Sequence, residues 1–458
     1  MKVTIMGLGV NGGGAPAARF FASHGAKVTV TDLRTEETLK PSVEELAGFD
    51  IAFTLGEHRE SDFRGADLVI KNPAVPADSP FLAMSAEVET DISVFLSFAR
   101  SPILAVTGSK GKSTVVSALA HILSVSCPKV KLGGNITRSP LSFLDELMED
   151  EEEIPVVLEL SSWQLADLRG KRLLKPRVAV VTNLMKDHQN FYHDMETYAA
   201  DKAEIFAGQD DRDNTITTYD DPWGRRFFIQ TPGKPFFFSR DPLPEICAGG
   251  YLVPSGGVFR MDGSETQILP STLAVRGEHM RLNLLCAASA AFLYGINPSI
   301  IIRQAGSFSG IEHRLETVDT VNGVTFINDS AATIPEAAAA AINSFTESLV
   351  LIAGGADKNL DFLVLSAAAA AAGKRVKRVI LLAGSATSKL SDSLDAAGVP
   401  AEGPFSSFSE AVETAFRNAA PGDMVVLSPG CASFGMFQNE FDRGRRFREI
   451  VRNLKETV

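Results

Sequence analysis

The octapeptide TGSKGKST, Thr107 to Thr114, sets glycines, lysines and hydroxyls in one short loop between the apolar run LAV and the helical run VVSALAHIL. A strand that feeds such a loop into a helix N-terminus presents backbone N–H groups and the positive end of the helix dipole to phosphate. In that reading Gly108, Ser109, Lys110 and Gly111 wrap the phosphates. Lys112 lies against the β and γ groups, and Ser113 or Thr114 offers an oxygen to Mg2+. The pattern departs from a Walker loop, which would place glycine at Val106, and a turn that binds nothing is the bland alternative. Lys110 by its charge alone reads as a solvated loop cation.

A second glycine-rich turn stands at the start of the chain. Gly7, Gly9 and Gly12 give G-x-G-x-x-G after a strand, with Asp32 ending the next strand, as in a dinucleotide fingerprint. Taken alone this loop points to NAD, although any tight βα turn needs glycine for positive φ and close packing. Further along, VVLEL ends on Glu159, followed by Ser161 and Ser162, an acid placed as a magnesium ligand would be. Asp187 and His188 lie beyond the following strand, and Lys202 lies on the helix after them. Each alone has a plain structural reading, and an ammonium at Lys202 would repel a metal ion.

The elements that must position these residues alternate as in α/β proteins. KVTIMG, KVTVTD and DLVIKNP read as strands, with ARFFASHG as a helix. SPILAVTG, IPVVLELSS and PRVAVVTNL form a second series of strands whose polar ends face the edge where open α/β sheets bind ligands. Residues 206–277 are rich in turn residues and read as an irregular, mostly β insertion. GVTFIND, SLVLIAGG, RVILLAG and DMVVLSPG form a third series, with PEAAAAAINSF, the alanine run before Lys374 and SEAVETAFRNA as helices. RGRRFREIVRNLK reads as a terminal helix packed through Phe447, Ile450, Val451 and Leu454. The acidic run 145–153 reads as a solvated helix end.

With 45% hydrophobic and 22% charged residues, the chain reads as an ordinary globular protein too long for one core. Its net charge of −12 argues against nucleic acid or an anionic membrane as the main partner. Four widely spaced cysteines suggest neither zinc nor a disulfide framework. The N-terminal apolar run is broken by glycine too early for a signal peptide or span, so a cytoplasmic protein is expected. On these features a nicotinamide oxidoreductase and a non-catalytic nucleotide-binding regulator both stay open.

In combination, TGSKGKST, LELSSWQL and a DH pair followed by Y-x-x-x-K resemble the Mur ligase family, whose central ATPase is shared with folylpolyglutamate synthase. The resemblance covers essentially the whole chain. It implies three α/β domains: a Rossmann-like UDP-binding domain over 1–99, a central P-loop-type ATPase with a parallel sheet and a small β region over 100–309, and a Rossmann-like amino-acid-binding domain over 310–458. It makes Lys112, His188 and Lys202 catalytic, Ser113, Glu159, His188 and Lys202 (as a carbamate) ligands of two Mg2+ ions, and Asn283, Arg314 and Asp329 further ATP contacts. The first loop then holds UDP rather than NAD, through Gly9, Val10, Asn11, Asp32, Leu33, Arg34 and Asn72. Asn135, Ser161 and Gln164 face the rest of that substrate.

SPGCASFGMFQNEFDRG, GGADKN, GGNI and GIEHRLE resemble the members that add D-glutamate, which implies contacts from Thr333, Lys358, Ser433, Phe434 and Phe437. The implied activity is ATP-dependent ligation of D-glutamate to UDP-N-acetylmuramoyl-L-alanine through an acyl phosphate, by a monomer, with a hinge near Gly310. A sister ligase adding another amino acid is the alternative. NDSAAT carries Ala331 where family members often carry lysine. Asn190, Met280 and Gly435 also replace residues common in the family.

Overall fold

The computed structural model describes residues 1–9, 13–136, 138–185, 192, 194–275, 277–357 and 360–457. Val10, Asn11, Gly12, Asp187, His188, Asn190 and Lys358 therefore lie outside the described residues. The described residues form three sheets.

The first sheet contains β1 (Lys2–Met6), β2 (Lys27–Asp32), β3 (Ile51–Leu55), β4 (Leu68–Lys71) and β5 (Val88–Glu89) in the order β3-β2-β1-β4-β5. All its pairings are parallel. Val3, Ile5, Val28 and Val30 are buried, as the β-branched runs require of a sheet packed against helices.

The second sheet has nine strands: β6 (Ile103–Thr107), β7 (Lys131–Gly134), β8 (Val156–Glu159), β9 (Val178–Val181), β10 (Asn214–Thr218), β11 (Lys234–Ser239), β12 (Gly249–Val253), β13 (Gly256–Met261) and β14 (Ser264–Pro270). β6 lies between β8 and β9, with Val106 opposite both Glu159 and Val180. The segment over 206–277 is mostly β, as expected, but regular rather than irregular. β10 and β11 run parallel to the central strands, flank the helix Pro222–Gln230 and extend the sheet; only β12 to β14 pair antiparallel. Thr215 and Thr217 are fully buried in β10. Their hydroxyls disguise a core strand as a polar one.

The third sheet contains β15 (Glu316–Val321), β16 (Val324–Asn328), β17 (Leu349–Gly354), β18 (Val376–Leu382), β19 (Ala401–Phe405) and β20 (Met424–Leu427), in the order β15-β16-β20-β17-β18-β19. The chain groups into two compact units, Met1–Leu273 with His279–Phe308 and Ala274–Glu278 with Ser309–Val458. In the first unit one hydrophobic cluster runs from Val3 and Ile5 through Phe95 and Phe143 to Leu158 and Leu165, so the first and central sheets share a core.

In the second unit the helix Glu440–Thr457 buries Phe447 and Val451 completely and packs Ile450 and Leu454 partly, as their helical spacing predicts. Arg443 on that helix is also fully buried. Its guanidinium donates to Ser330 Oγ at 2.9 Å, Ser330 O at 2.8 Å and Cys431 O at 3.3 Å. A Cβ at Gly444 would lie 2.1 Å from His313 Nδ1, so the glycine lets the helix meet the buried histidine.

Asp329, just past β16, ties this unit together through Oδ2, which accepts from Ser428 Oγ at 2.6 Å, and Oδ1, which accepts from Leu315 N at 3.2 Å. Burial pushes its carboxyl up to about 7, against the pull of those hydrogen bonds and of Arg314 and Arg443. Between the unfolded value near 4 and this raised value the native form binds a proton that the unfolded chain does not. The stability it contributes is therefore present on the acid side and lost as pH rises through 7. Melting curves should show wild type losing stability relative to Asp329→Asn between pH 5.5 and pH 8; a difference that does not change with pH would contradict this.

Candidate functional site

The loop after β6 is built by close backbone packing. Gly108 has φ +140°, and a Cβ there would lie 1.9 Å from Thr182 Oγ1. Gly111, at φ +84°, is the N-cap of the helix Lys112–Leu123, and a Cβ there would lie 2.5 Å from Asn283 Oδ1. Asn283 thus packs on the loop. Thr182 and Asn183, at the end of β9, hold the loop from the other side. Ser109 N donates to Asn183 O at 2.9 Å, Lys110 N donates to Asn183 Oδ1 at 3.0 Å, and Thr182 Oγ1 donates to Lys110 O at 2.7 Å. Reading the motifs overlooked these two residues, though their polar side chains at a buried strand end were a usable signal.

Lys112 Nζ donates to Gly108 O at 2.9 Å and Ser109 O at 3.2 Å, so its ammonium lies over the loop. Ser113 and Thr114 are half-buried in the first helical turn. Lys202, from the helix Met195–Ala203, reaches the loop from behind and is 1% exposed. Its Nζ donates to Gly108 O at 3.0 Å and lies 4.7 Å from the centre of the Tyr198 ring. Tyr198 OH pairs with Ser109 Oγ at 3.1 Å. Asp201 beside Lys202 accepts from Tyr192 OH at 2.8 Å and from Arg169, and burial raises its carboxyl. Tyr198 is the tyrosine of the Y-x-x-x-K pattern but had no role assigned to it, and Tyr192 and Asp201 were overlooked, because nothing local marks a tyrosine as a loop support.

Glu159 ends β8 beside this loop and is 2% exposed. Oε1 accepts from Asn135 Nδ2 at 3.0 Å, while Oε2 is buried with no hydrogen-bond partner among the described residues. An orphaned buried carboxylate oxygen is costly, and a cation would relieve the cost. Among the described residues no three His, Cys, Asp or Glu side chains converge as a metal cluster. Ser161 and Gln164 cap each other in the helix Ser162–Ala166. Ser161 N donates to Gln164 Oε1 at 3.0 Å and Gln164 N donates to Ser161 Oγ at 3.2 Å.

In the first sheet, Asp32 is engaged by its own loop: Oδ2 accepts from Gly9 N at 3.1 Å and Oδ1 accepts from Arg34 N at 2.9 Å. Asn72 packs into the glycines, since a Cβ at Gly13 would lie 2.5 Å from its Nδ2. Gly9, Asp32, Leu33, Arg34 and Asn72 line a cavity of about 610 Å³ together with His58 and Phe81, two residues not foreseen. His58 Nδ1 lies 2.7 Å from Thr31 Oγ1, and burial lowers its pKa. A larger cavity of about 740 Å³, lined by Arg169, Glu196, Glu204 and Arg226, contains none of the expected site residues.

The second unit carries Arg314, Asp329, Thr333, Ser433, Phe434 and Phe437. Arg314 is exposed, Thr333 half-buried and Ser433 buried. Phe434 is 59% exposed, whereas Phe437 is 8% exposed and packs against Phe408 with ring centres 4.8 Å apart. Phe437 is thus a core residue. Ala331 engages through its backbone, its N donating to His313 O at 2.9 Å.

Comparison with known proteins agrees with this architecture over the full length. Residues 1–94 match the Mur ligase MurD-like N-terminal domain, 106–291 the Mur ligase middle domain and 313–431 the Mur ligase glutamate ligase domain. The chain is 42% identical to a UDP-N-acetylmuramoylalanine--D-glutamate ligase of Roseiflexus sp. (strain RS-1), with 99% of this chain and 98% of the relative aligned. It is 40% identical, at the same coverage, to the enzyme so named in Treponema pallidum (strain Nichols). Among solved structures it is similar in fold to UDP-N-acetylmuramate-alanine ligase MurC from Thermotoga maritima, with TM-score 0.63 at 19% identity and 99% of each chain covered. MurF ligase from Thermotoga maritima, in complex with ADP, matches with TM-score 0.54 at 16% identity, over 94% of this chain and 96% of that one. Glycine loop, buried strand-end glutamate and three-sheet architecture thus occur in a chain that belongs to the Mur ligase family, among the UDP-N-acetylmuramoylalanine--D-glutamate ligases.

Proposed function

We propose that this chain is an ATP-dependent ligase that joins D-glutamate to UDP-N-acetylmuramoyl-L-alanine, releasing ADP and phosphate, in the cytoplasmic synthesis of peptidoglycan precursors. The observation that carries the reading is the buried Oε2 of Glu159, without a hydrogen-bond partner among the described residues, beside the Gly111-capped loop, in a chain related along its whole length to enzymes of that name. The alanyl carboxylate attacks the γ phosphorus of ATP, ADP leaves, and an acyl phosphate forms. The amine of D-glutamate then attacks the acyl carbon, phosphate leaves, and the amine gives up a proton. A carboxylate needs this activation because oxide is a poor leaving group.

Each step brings anions together, so the protein must supply positive charge where it develops. Lys112, already over the loop, turns from Gly108 O and Ser109 O to the phosphates. The N–H groups of the loop and of the first turn of the Lys112 helix bind the same oxygens. Asn283 supports Gly111, and Arg314 and Asp329 contribute further ATP contacts. Glu159 and Ser113, with His188 and Lys202 as a carbamate, would hold Mg2+. When bound, this ion neutralises phosphate charge. Carbamylation suits Lys202 because it replaces a buried cation with an anion. The cavity of the first sheet takes the UDP group, with Arg34 toward the diphosphate. Asn135, Ser161 and Gln164 take the muramoyl end. Thr333, Lys358, Ser433 and Phe434 take D-glutamate, with Phe437 as support from the core. Closure about Gly310 would exclude water from the acyl phosphate.

Phosphate release from MgATP and UDP-N-acetylmuramoyl-L-alanine should require D-glutamate; release with L-alanine or a diamino acid instead would move the specificity to a sister ligase. Lys112→Ala should lower that rate by about a hundredfold to a thousandfold, and a rate near wild type would remove Lys112 from the mechanism. Lys202→Ala should be inactive and partly restored by small carboxylic acids added to the assay. Failure of every such acid to restore it would count against the carbamate.

A further inference from the structure

Polar side chains fasten the first sheet to the central domain beneath the proposed binding path. Lys71, the last residue of β4, is 6% exposed. Its Nζ lies 2.9 Å from Asp167 Oδ2 and donates to Val75 O at 3.2 Å. Lys171 Nζ lies 2.6 Å from Glu89 Oε2. Buried Asp91 accepts from buried Ser139, with Oδ2 2.7 Å from Oγ.

The positions of these fasteners are not arbitrary. Val75 is a wall of the nucleotide cavity. Asp167 is the C-cap of the helix Ser162–Ala166, whose N-terminal cap is the Ser161 and Gln164 pair. Ser139 follows the turn that carries Asn135. Segments assigned to the muramoyl end are therefore pinned to the sheet assigned to UDP. Lys171 and Asp91 act as ordinary fasteners. Lys71 differs, because one buried ammonium holds both a cavity wall and the Asp167 segment. Burying that charge is costly before pairing, and an apolar pair of similar volume would serve stability as well. What the apolar pair would lack is the directed bond to Val75 O.

We propose that Lys71 is a positioning residue that sets the span between the nucleotide cavity and the Ser161 segment, so that the two ends of one long substrate bind as a chelate. This rests on the proposed function, which assigns those two segments to one molecule. When one end is bound, the other binds intramolecularly, at an effective concentration set by how well the span matches. Loosening the span lowers that concentration while leaving the affinity of each end alone unchanged.

The test is direct binding, by calorimetry, of UDP and of UDP-N-acetylmuramoyl-L-alanine to wild type, Lys71→Met and the double variant Lys71→Met with Asp167→Leu. The double variant removes the carboxylate that the single one strands, and its melting temperature reports whether it folds as wild type does. Expected is a Kd for UDP within twofold of wild type in the double variant, with the Kd for the full substrate raised about tenfold. An unchanged Kd for the full substrate overturns the proposal. So does a parallel loss for UDP, which would mean that the cavity itself had collapsed. Loss of D-glutamate-dependent turnover in wild type would sink the proposed function instead, and it is read in a separate assay.

Discussion

The parallel register of β6, β8 and β9 is the constraint on which the site depends. Because Val106 stands opposite Glu159 and Val180, three strand ends finish level with one another. The glycine loop after β6, the buried glutamate and the Thr182–Asn183 support then meet at one edge. A slip of one residue in β8 would turn Glu159 to the other face of the sheet. Fully buried apolar strands hold that register, since each slip would carry Val156 to Leu158 out of matched packing. Close approach follows from it. Gly134 leaves no room for a Cβ, which would lie 2.1 Å from Glu159 O.

Three buried cations each lie beside a loop. Lys202 reaches Gly108 of the glycine loop, Arg443 reaches Ser330 and Cys431, and Lys71 reaches Val75 and Asp167. A buried ion leaves water at a cost of several kcal/mol, so these are poor sources of stability taken one at a time. They are good sources of geometry. Each fixes a loop backbone by directed bonds from an element that is itself packed in a core.

The two glycine loops share a turn and differ in what closes it. In the first, Asp32 and Asn72 fill the space around the glycines and bond to the backbone. A carboxylate engaged by Gly9 N and Arg34 N serves the loop before any ribose. In the second, the supports come from the end of β9 and from the helix of Asn283, and Lys112 lies over the loop on Gly108 O and Ser109 O. Chemistry thus separates two loops that a glycine pattern alone makes alike.

Much of the fold is legible in order along the chain. Runs such as KVTIM, ILAVT and LVLIAG are too apolar and β-branched to be anything but buried strands, and Phe447, Val451 and Leu454 declare the inner face of the last helix. TGSKGKST and VVLEL likewise announce a phosphate loop and an acid at a strand end, because their requirements are local: positive φ, a free helix N-terminus, a carboxylate after an apolar run. The threonine-rich β10 escaped for the same reason, since a hydroxyl reads as exposed until its neighbours are known. Other residues needed the folded chain to acquire meaning. Thr182, Asn183, Asp201 and Lys71 are unremarkable in sequence, Tyr198 is marked only as the tyrosine of Y-x-x-x-K, and Phe437 reads as a ligand contact until packing makes it core. Their roles depend on partners distant along the chain, up to ninety-six residues for Lys71 and Asp167. Strand order and register bring such partners together; local propensity, which acts over one turn or one strand, carries no information about them.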